Sequence, residues 1–347
     1  MFINSVIPRL DLGIQRKELD FPVKSDADLR EEALRPENDN IGTKFAMNIA
    51  ILGAPGCVGR HFIKKLLESP HYKVIASYRK KQDAETFRHD RLEWRQVDLK
   101  DLSSTENFLQ GADVLIYLIH SLGAKDFEQL DVQLANVAGQ AAQKIGVKKI
   151  IYLGGIIPSG KQASPHLMSR MKTGQALASY GIPVGEVRAS ILLATCSASY
   201  LIVYYLAKRL PLMITPRWLN SLCAPIALED AASVLVGLIP KPVQGHEIFE
   251  IGSDIVRYRD LLALCGKAIR GIKNIIIPIP LFAIHLSALW IQLITGVPNS
   301  VGTALAEGLR SNTVPSRNRF REVTGRDPLP LEPVLKRLAE EMKAKKR

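Results

Sequence analysis

Short apolar runs and longer amphipathic stretches alternate along the chain from residue 48 onward. Runs of strand length occur at 48–53, 73–78, 92–97, 113–119, 148–154 and 184–190, with a further one at 246–252. Strands that alternate with helices are typical of a parallel sheet with helices on both faces. The pattern therefore predicts an α/β fold built on a doubly wound parallel sheet.

Helical periodicity is clearest over 126–146. Leu130, Leu134 and Ala141 recur there at the spacing of one helix face, and Gly146 is a suitable stop. Past residue 190 the pattern loosens, and further helices are predicted at 197–210 and 225–239.

Residues 1–46 show no sustained periodicity, and the run 24–40 within them is polar. Met47 stands immediately before the first predicted strand. Two interpretations stay open: a disordered extension, or an artefact upstream of a true start at Met47. Neither interpretation gives this segment a function.

A glycine-rich turn, GAPGCVG at 53–59, lies between the first predicted strand and an amphipathic helix. Gly53 permits a tight turn, Gly56 lets a diphosphate approach the backbone, and Gly59 allows close helix–strand contact. Free N–H groups and the helix dipole then favour an anion. Cys57 is interpreted as a small residue that begins the helix, in preference to a redox role. The turn predicts dinucleotide binding through Gly53, Pro55, Gly56, Cys57, Val58 and Gly59.

The residues after the second strand indicate which dinucleotide binds. An acidic residue at this point would bind the ribose hydroxyl of NAD. The chain instead has Arg79 followed by two lysines, and a guanidinium suits the 2′-phosphate of NADP. We therefore expect NADP(H) more than NAD(H). Asp98 and Leu99, after the third strand, are candidates to contact the adenine, although Asp98 is equally suited to start a turn.

Composition narrows the class of partner. The 347 residues carry a net charge of +12, and residues 1–46, with seven basic and nine acidic groups, leave about +14 on the rest. A positive surface suits a phosphorylated cofactor or an anionic membrane. No basic run is interleaved with aromatic residues, so a nucleic-acid partner is not expected.

The four cysteines are Cys57, Cys196, Cys223 and Cys265, and their spacing shows no pairing. This spacing predicts a reducing compartment, with neither a disulfide nor a metal site. The N-terminus lacks an apolar core of signal-peptide length. We therefore expect a cytoplasmic protein.

The chain resembles the atypical, NmrA-like branch of the short-chain dehydrogenases/reductases, and within it the bacterial NAD(P)-binding oxidoreductases. The resemblance is carried by the glycine turn, by VDLKD, YLIHSLG, YLGGIIPSG and SPHLMSR, and by later motifs down to FEIGSDIVRYRDLL. It implies a Rossmann core at 47–190 and an interleaved C-terminal part at 191–330 that binds substrate. A basic tail is predicted at 331–347.

The family's usual tyrosine and lysine, four residues apart, are replaced here by His166 and Arg170. Histidine can still transfer protons near neutral pH, whereas arginine can hold oxygens but cannot act as a base. The pair is compatible with modified proton transfer, with a binding-only site, or with a histidine that merely caps a helix. His120 and Ser121 end the fourth strand, where ligands bind in such sheets, and are further candidates. A loop histidine with its hydrogen bonds satisfied by the protein is the competing interpretation for His120.

Two other features need separate interpretations. Tyr204 and Lys208 have the family's spacing but fall on a different predicted helix, so packing is favoured over catalysis there. The uncharged segment 275–298 has a usable helix at 281–295, which is too short to span a membrane. It is interpreted as a wall of the substrate pocket or as an interfacial helix on a membrane surface.

These observations predict an NADP(H)-dependent oxidoreductase that transfers hydride to a small carbonyl or C=C compound, with a lipophilic substrate as one option. A non-catalytic NADP(H)-binding redox sensor or assembly protein is the alternative, and an epimerase or dehydratase is a weaker one. Peripheral membrane association also stays open, and no oligomeric state is predicted.

Overall fold

The computed structural model describes residues 47–84, 87–158, 163–279, 294–295 and 299–345. The predictions for residues 1–46 and for 281–293 therefore lie outside the described residues. No helix in the described part of the chain has the length and apolar character needed to cross a membrane.

A central parallel sheet organises the molecule. The strands in chain order are β1 Met47–Leu52, β2 Tyr72–Tyr78, β3 Leu92–Gln96, β4 Val114–Tyr117, β5 Lys149–Gly155, β6 Val184–Ala189, β7 Leu192–Leu193, β8 Leu212–Pro216, β9 Leu222–Cys223, β10 Ile226–Ala227, β11 His246–Ile251, β12 Val256–Arg257 and β13 Ile275–Ile279. Within the described residues, seven of them form one sheet in the order β11-β6-β5-β4-β1-β2-β3. The predicted α/β sheet is confirmed, with small strand pairs beside it.

The order of this sheet reverses between β1 and β4, which both pair with their neighbours in parallel. Leu52 pairs with Tyr117, and Tyr117 in turn pairs with Tyr152 of β5. The strand ends therefore meet at one edge, called here the carboxyl edge. Ligands of open α/β sheets bind in the crevice where the strand order reverses.

Helices cover both faces of the sheet. They are α1 Cys57–Leu67, α2 Lys81–Ala84, α3 Leu102–Leu109, α4 Phe127–Ile145, α5 Pro165–Ala178, α6 Ala198–Arg209, α7 Leu228–Gly237, α8 Tyr258–Arg270, α9 Asn299–Gly308, α10 Phe320–Thr324 and α11 Leu331–Ala344, with a 3₁₀ turn at Arg217–Asn220. Phe62 of α1 and Leu235 of α7 pack on one face, and Phe108 of α3 and Leu134 of α4 on the other. Burial of these apolar faces is the main stabilising contribution.

Helix α4 shows how the sequence pattern sets an element's bounds. Gly146 follows the helix in the left-handed conformation at φ 82°, and its N–H donates to the carbonyls of Ala142 and Gln143. Glycine adopts this conformation without steric cost, so the helix ends there. The predicted boundary is confirmed.

The C-terminal part has a third apolar cluster, formed by α6, α8 and α11. Leu335 and Leu338 of α11 are buried in it. The prediction of a basic tail at 331–347 is therefore wrong for 331–344. Apolar residues at helical spacing dock this segment, while its charged residues face outward.

Candidate functional site

The glycine turn connects β1 to α1 at the carboxyl edge. Gly53 has φ 89°, a left-handed conformation, and its N–H donates to the Ser77 hydroxyl of β2 at 3.0 Å. A Cβ on Gly59 would lie 2.4 Å from the Ala54 carbonyl oxygen and 2.5 Å from that of Gly53. Helix α1 can approach the turn this closely only because residue 59 has no side chain.

The start of α1 leaves backbone donors free for an anion. Gly56 precedes the helix without a capping side chain, and the first turn holds no acidic residue. Unpaired N–H groups at a helix N-terminus attract phosphate. Pro55 and Val58 belong to the same turn. The backbone therefore fits the diphosphate of a dinucleotide.

The other predicted cofactor residues lie along the same edge. Arg79 follows β2 and is exposed, and its side chain has no ion pair with any described residue. Asp98 follows β3, and its carboxylate accepts from the Lys100 N–H at 3.0 Å, which is the turn interpretation. Leu99 is buried. Their contacts with a cofactor stay predictions.

The structure corrects the prediction for the cysteines. Cys57, in the glycine turn, and Cys196, in the loop before α6, form a disulfide across 139 residues of sequence. Cys223 and Cys265 are buried free thiols. Spacing along the chain could not show the pair, because only folding brings the two loops together.

A buried carboxylate organises the carboxyl edge just beyond β4, the strand beside β1. Asp131, on α4, is 2% exposed and accepts from the Ser121 N–H at 2.8 Å and from the Ser121 hydroxyl. It also accepts from the Ser169 hydroxyl at 3.0 Å. His120 Nδ1 lies 3.4 Å from the same carboxylate. Asp131 was not among the predicted site residues, and its only signal in the sequence was a charge on the buried face of an otherwise apolar helix.

The two predicted histidines are brought together. The ring centroids of His120 and His166 lie 5.1 Å apart. His120 follows β4 and keeps 28% of its side chain exposed. His166 is in the first turn of α5, which begins at Ser164 and Pro165 as predicted. Its Nδ1 is buried without a hydrogen-bond partner among the described residues.

These groups have shifted pKa values. Burial lowers the pKa of His120, and the hydrogen bond to Asp131 partly opposes this shift. Burial lowers the pKa of His166 much further, with the charges of His120 and Arg170 adding to the effect. Burial alone would raise the pKa of Asp131, but hydrogen bonds from His120 and Ser121 and nearby positive charge hold it below its usual value. His166 is therefore neutral at pH 7, and Asp131 is ionised.

Arg170 is bound by the sheet itself. Its guanidinium donates to the Leu153 carbonyl and, at 3.4 Å, to the Ile119 carbonyl. It also lies 5.2 Å from the Tyr152 ring centroid. Arg170 thus links the ends of β4 and β5, and part of its hydrogen-bonding capacity is used by backbone oxygens.

The second pair with family spacing belongs to the core. Tyr204 of α6 is fully buried, and the Lys208 ammonium lies 5.6 Å from its ring centroid. Burial raises the pKa of the Tyr204 hydroxyl. This environment matches the packing interpretation.

Comparison with known proteins agrees with this geometry. Residues 53–196 match the model of a family described as NAD(P)H-binding. A search of curated proteins found no significant sequence match.

Solved structures share the fold. The triphenylmethane reductase of Citrobacter sp., complexed with NADP(H), is 18% identical, with a TM-score of 0.68 over 84% of this chain and 100% of that one. An NADPH-dependent quinone oxidoreductase of Escherichia coli is 19% identical, with a TM-score of 0.66 over 84% and 99%. A nucleoside-diphosphate-sugar epimerase of Staphylococcus aureus is 18% identical, with a TM-score of 0.67 over 84% and 100%. The family model agrees with the predicted NAD(P)-binding core, and these structures share the predicted fold.

Proposed function

Since residues 53–196 match the model of an NAD(P)H-binding family, we propose that this protein is an NADP(H)-dependent reductase in which His120, held by Asp131, supplies the proton. The observation that carries the proposal is the His120–Asp131 contact at the carboxyl edge, on the crevice that the glycine turn also borders. The structural neighbours named as reductases support the reaction class.

The glycine turn and the start of α1 fit a dinucleotide. Gly59 admits the close helix approach, and α1 offers uncapped N–H donors to a diphosphate. Arg79 is exposed at the end of β2, where a guanidinium can pair with a 2′-phosphate. We infer a preference for NADP(H) over NAD(H) from this position and charge.

At the end of the site that holds His120 and Asp131, the substrate would receive a hydride from the cofactor and a proton from the protein. When bound, the reduced nicotinamide supplies a hydride to the substrate carbon. His120 takes a proton from solvent at its free ring nitrogen, and the imidazolium then donates that proton to the substrate oxygen, or to the second carbon of a C=C acceptor. Asp131 faces Nδ1 of His120, so Nε2 is the nitrogen left for the substrate. Its carboxylate also stabilises the imidazolium that must form.

The other predicted residues have supporting roles in this proposal. Ser121 directs both its N–H and its hydroxyl to Asp131 and so positions the carboxylate. His166 is neutral, and its unpartnered Nδ1 can accept a hydrogen bond from a ligand. Arg170 fixes the ends of β4 and β5 around them.

The test is deuteride transfer. NADPH deuterated at both hydride positions is incubated with an aromatic aldehyde or a cyclic enone, because these acceptors keep the label on carbon and take up a proton in the same reduction. Label should enter the acceptor with wild type and fall by about 100-fold or more with His120→Gln, because a general acid contributes that much. NADPH affinity should stay unchanged.

The exposed His71→Gln variant, at the opposite edge of the sheet, is the matched control and should transfer label like wild type. Wild-type rates in His120→Gln would contradict the proposed proton donor. If His166→Gln alone lost activity, the donor would be His166.

One observation favours a second candidate, a cofactor-binding redox sensor without turnover. Arg170, whose guanidinium was a candidate to hold ligand oxygens, donates to backbone carbonyls. NADPH binding without label transfer to any acceptor, together with a conformational difference between NADPH and NADP⁺ complexes, would support this candidate.

A further inference from the structure

The two accessible cysteines of the chain are also the two that are bonded to each other. Cys57 is half-buried and Cys196 is exposed, and they form the disulfide. Cys223 and Cys265 are fully buried, and burial raises the pKa of the Cys265 thiol to about 12. Buried thiols of this kind are inert, whereas exposed cysteines exchange with solution thiols. The pair is thus open to redox chemistry from which the other two are shielded.

The surroundings of the pair favour thiolate chemistry. Cys57 is the first residue of α1, whose N-terminus favours negative charge. His61 follows one turn later, and its Nδ1 lies 3.0 Å from the Cys57 carbonyl. A ring nitrogen of His61 and the two sulfurs lie within 4.8 Å of one another. A base therefore stands beside both thiols.

The location of the bond connects it to the cofactor site. Cys57 follows Gly56, the glycine at which a diphosphate would approach the backbone, and its own amide is one of the free donors. The disulfide brings the exposed loop containing Cys196 to a Cα–Cα distance of 5.6 Å from Cys57. The bond thus ties the loop before α6 to the residue that follows Gly56.

We propose that Cys57 and Cys196 form a reversible dithiol–disulfide switch that weakens dinucleotide binding when oxidised. The inference rests on the proposed use of the glycine turn for the cofactor. The free dithiol lets the loop before α6 move away from the turn. The disulfide holds it there.

The exchange balances with a low-molecular-weight disulfide as oxidant. The Cys57 thiolate attacks one oxidant sulfur, whose S–S bond breaks and releases one thiol. His61 takes the Cys196 proton, and the Cys196 sulfur attacks Cys57 and releases the second thiol. Two electrons pass to the oxidant, and the two protons lost by the cysteines end on the released thiols. A dithiol reductant reverses the exchange.

The test measures NADPH affinity of the full chain in both redox states. Protein reduced with dithiothreitol is compared with protein oxidised by glutathione disulfide, and intact mass reports loss of the two thiol hydrogens. The reduced form should bind NADPH at least about tenfold more tightly. Cys196→Ser kept in dithiothreitol should bind like reduced wild type, and after glutathione disulfide its Cys57 can form only a mixed disulfide, which intact mass identifies. The buried Cys223→Ser should keep the redox response.

Each other outcome is decisive. Equal affinity in both forms, with the disulfide verified by mass, would overturn the switch alone, as would tighter binding by the oxidised form. Absence of binding in both forms and in Cys196→Ser would overturn the proposed cofactor function, and the switch with it. Stoichiometric Zn²⁺ that protects both thiols from glutathione disulfide would show a Cys57–His61–Cys196 metal site in place of the switch.

Discussion

The two ends of the candidate site are built in different ways. At the dinucleotide end, the geometry comes from one contiguous turn at 53–59, and the critical distances are between backbone atoms. At the reacting end, His120, Asp131 and His166 come from the end of β4, from α4 and from α5. The dinucleotide end depends on glycines, which have no side chain. The reacting end depends on a polar network assembled from segments far apart in the chain.

This difference predicts different responses to mutation. An added carbon at the dinucleotide end collides with backbone, which cannot rotate away. An isosteric substitution that removes a hydrogen bond at the reacting end keeps the shape of the side chain but leaves buried polar groups unpaired. Steric changes should therefore damage cofactor binding, while isosteric polar changes should damage stability and proton transfer.

The largest effect is expected from Gly59→Ala. Its Cβ would lie 2.4 Å from a backbone oxygen, so α1 must shift away from the turn. We expect a loss of about 3 kcal/mol or more in cofactor binding or stability. Calorimetric NADPH titration and thermal unfolding measure both. Gly185→Ala, whose Cβ would make ordinary contacts of 3.5 Å or more, is the control. Equal losses in both variants would contradict the steric argument.

Asp131→Asn probes the reacting end without changing its shape. In this variant an amide nitrogen, which cannot accept a hydrogen bond, replaces one of the two carboxylate oxygens. It faces either the N–H and hydroxyl of Ser121 or the side chains of Ser169 and His120. One buried donor is left unpaired, which should cost about 2 kcal/mol of unfolding free energy. Denaturant unfolding measures this change, and NADPH affinity should persist.

Asp126→Asn is the matched control, since the Asp126 carboxylate is exposed and makes no cap hydrogen bond at the start of α4. A stability loss in Asp126→Asn as large as that in Asp131→Asn would show that the buried network is not the cause.

Arg79→Ala sharpens the comparison within the dinucleotide end. Removing the exposed guanidinium should weaken NADPH binding by about 1.5 kcal/mol, roughly tenfold, because one charge-assisted contact to phosphate is lost. NADH binding should change little. Lys73→Ala removes an equal charge from the opposite end of β2 and should affect neither cofactor. Equal losses for both cofactors in Arg79→Ala would remove the 2′-phosphate assignment.

The smallest effect is a pH dependence at the reacting end. The pKa of His166 is well below its usual value in the fold, chiefly through burial. Below about pH 6.5 the unfolded chain therefore binds a proton that the folded chain does not. Stability should fall as the pH falls from 7 until it reaches the folded pKa, by at most about 1.4 kcal/mol per pH unit for this proton.

The stability of His166→Gln should fall less steeply over this range, as measured by urea unfolding at a series of pH values. The exposed His71→Gln variant controls for loss of an imidazole. Parallel curves for wild type and His166→Gln would refute burial of the neutral ring.

The dinucleotide end could be predicted from the sequence more fully than the reacting end. The glycine turn and its flanking elements were evident because their signal is local: spacing, periodicity and a strand before a helix. The placement of His120 and His166 at one edge followed from sheet topology. Asp131 was missed because its four hydrogen bonds come from residues 10 to 38 positions away. The segment at 331–344 was misjudged because its charges obscured a buried apolar stripe.

The amino-acid sequence by itself determined the α/β order, the helix boundaries set by glycine, and the turn that fits a diphosphate. These features depend on backbone conformation and on the spacing of apolar residues, which neighbouring positions control. Only the tertiary structure decided that Asp131 faces His120, that Arg170 braces the sheet and that Cys57 meets Cys196. Such contacts join segments far apart in the chain, and their partners are chosen by packing.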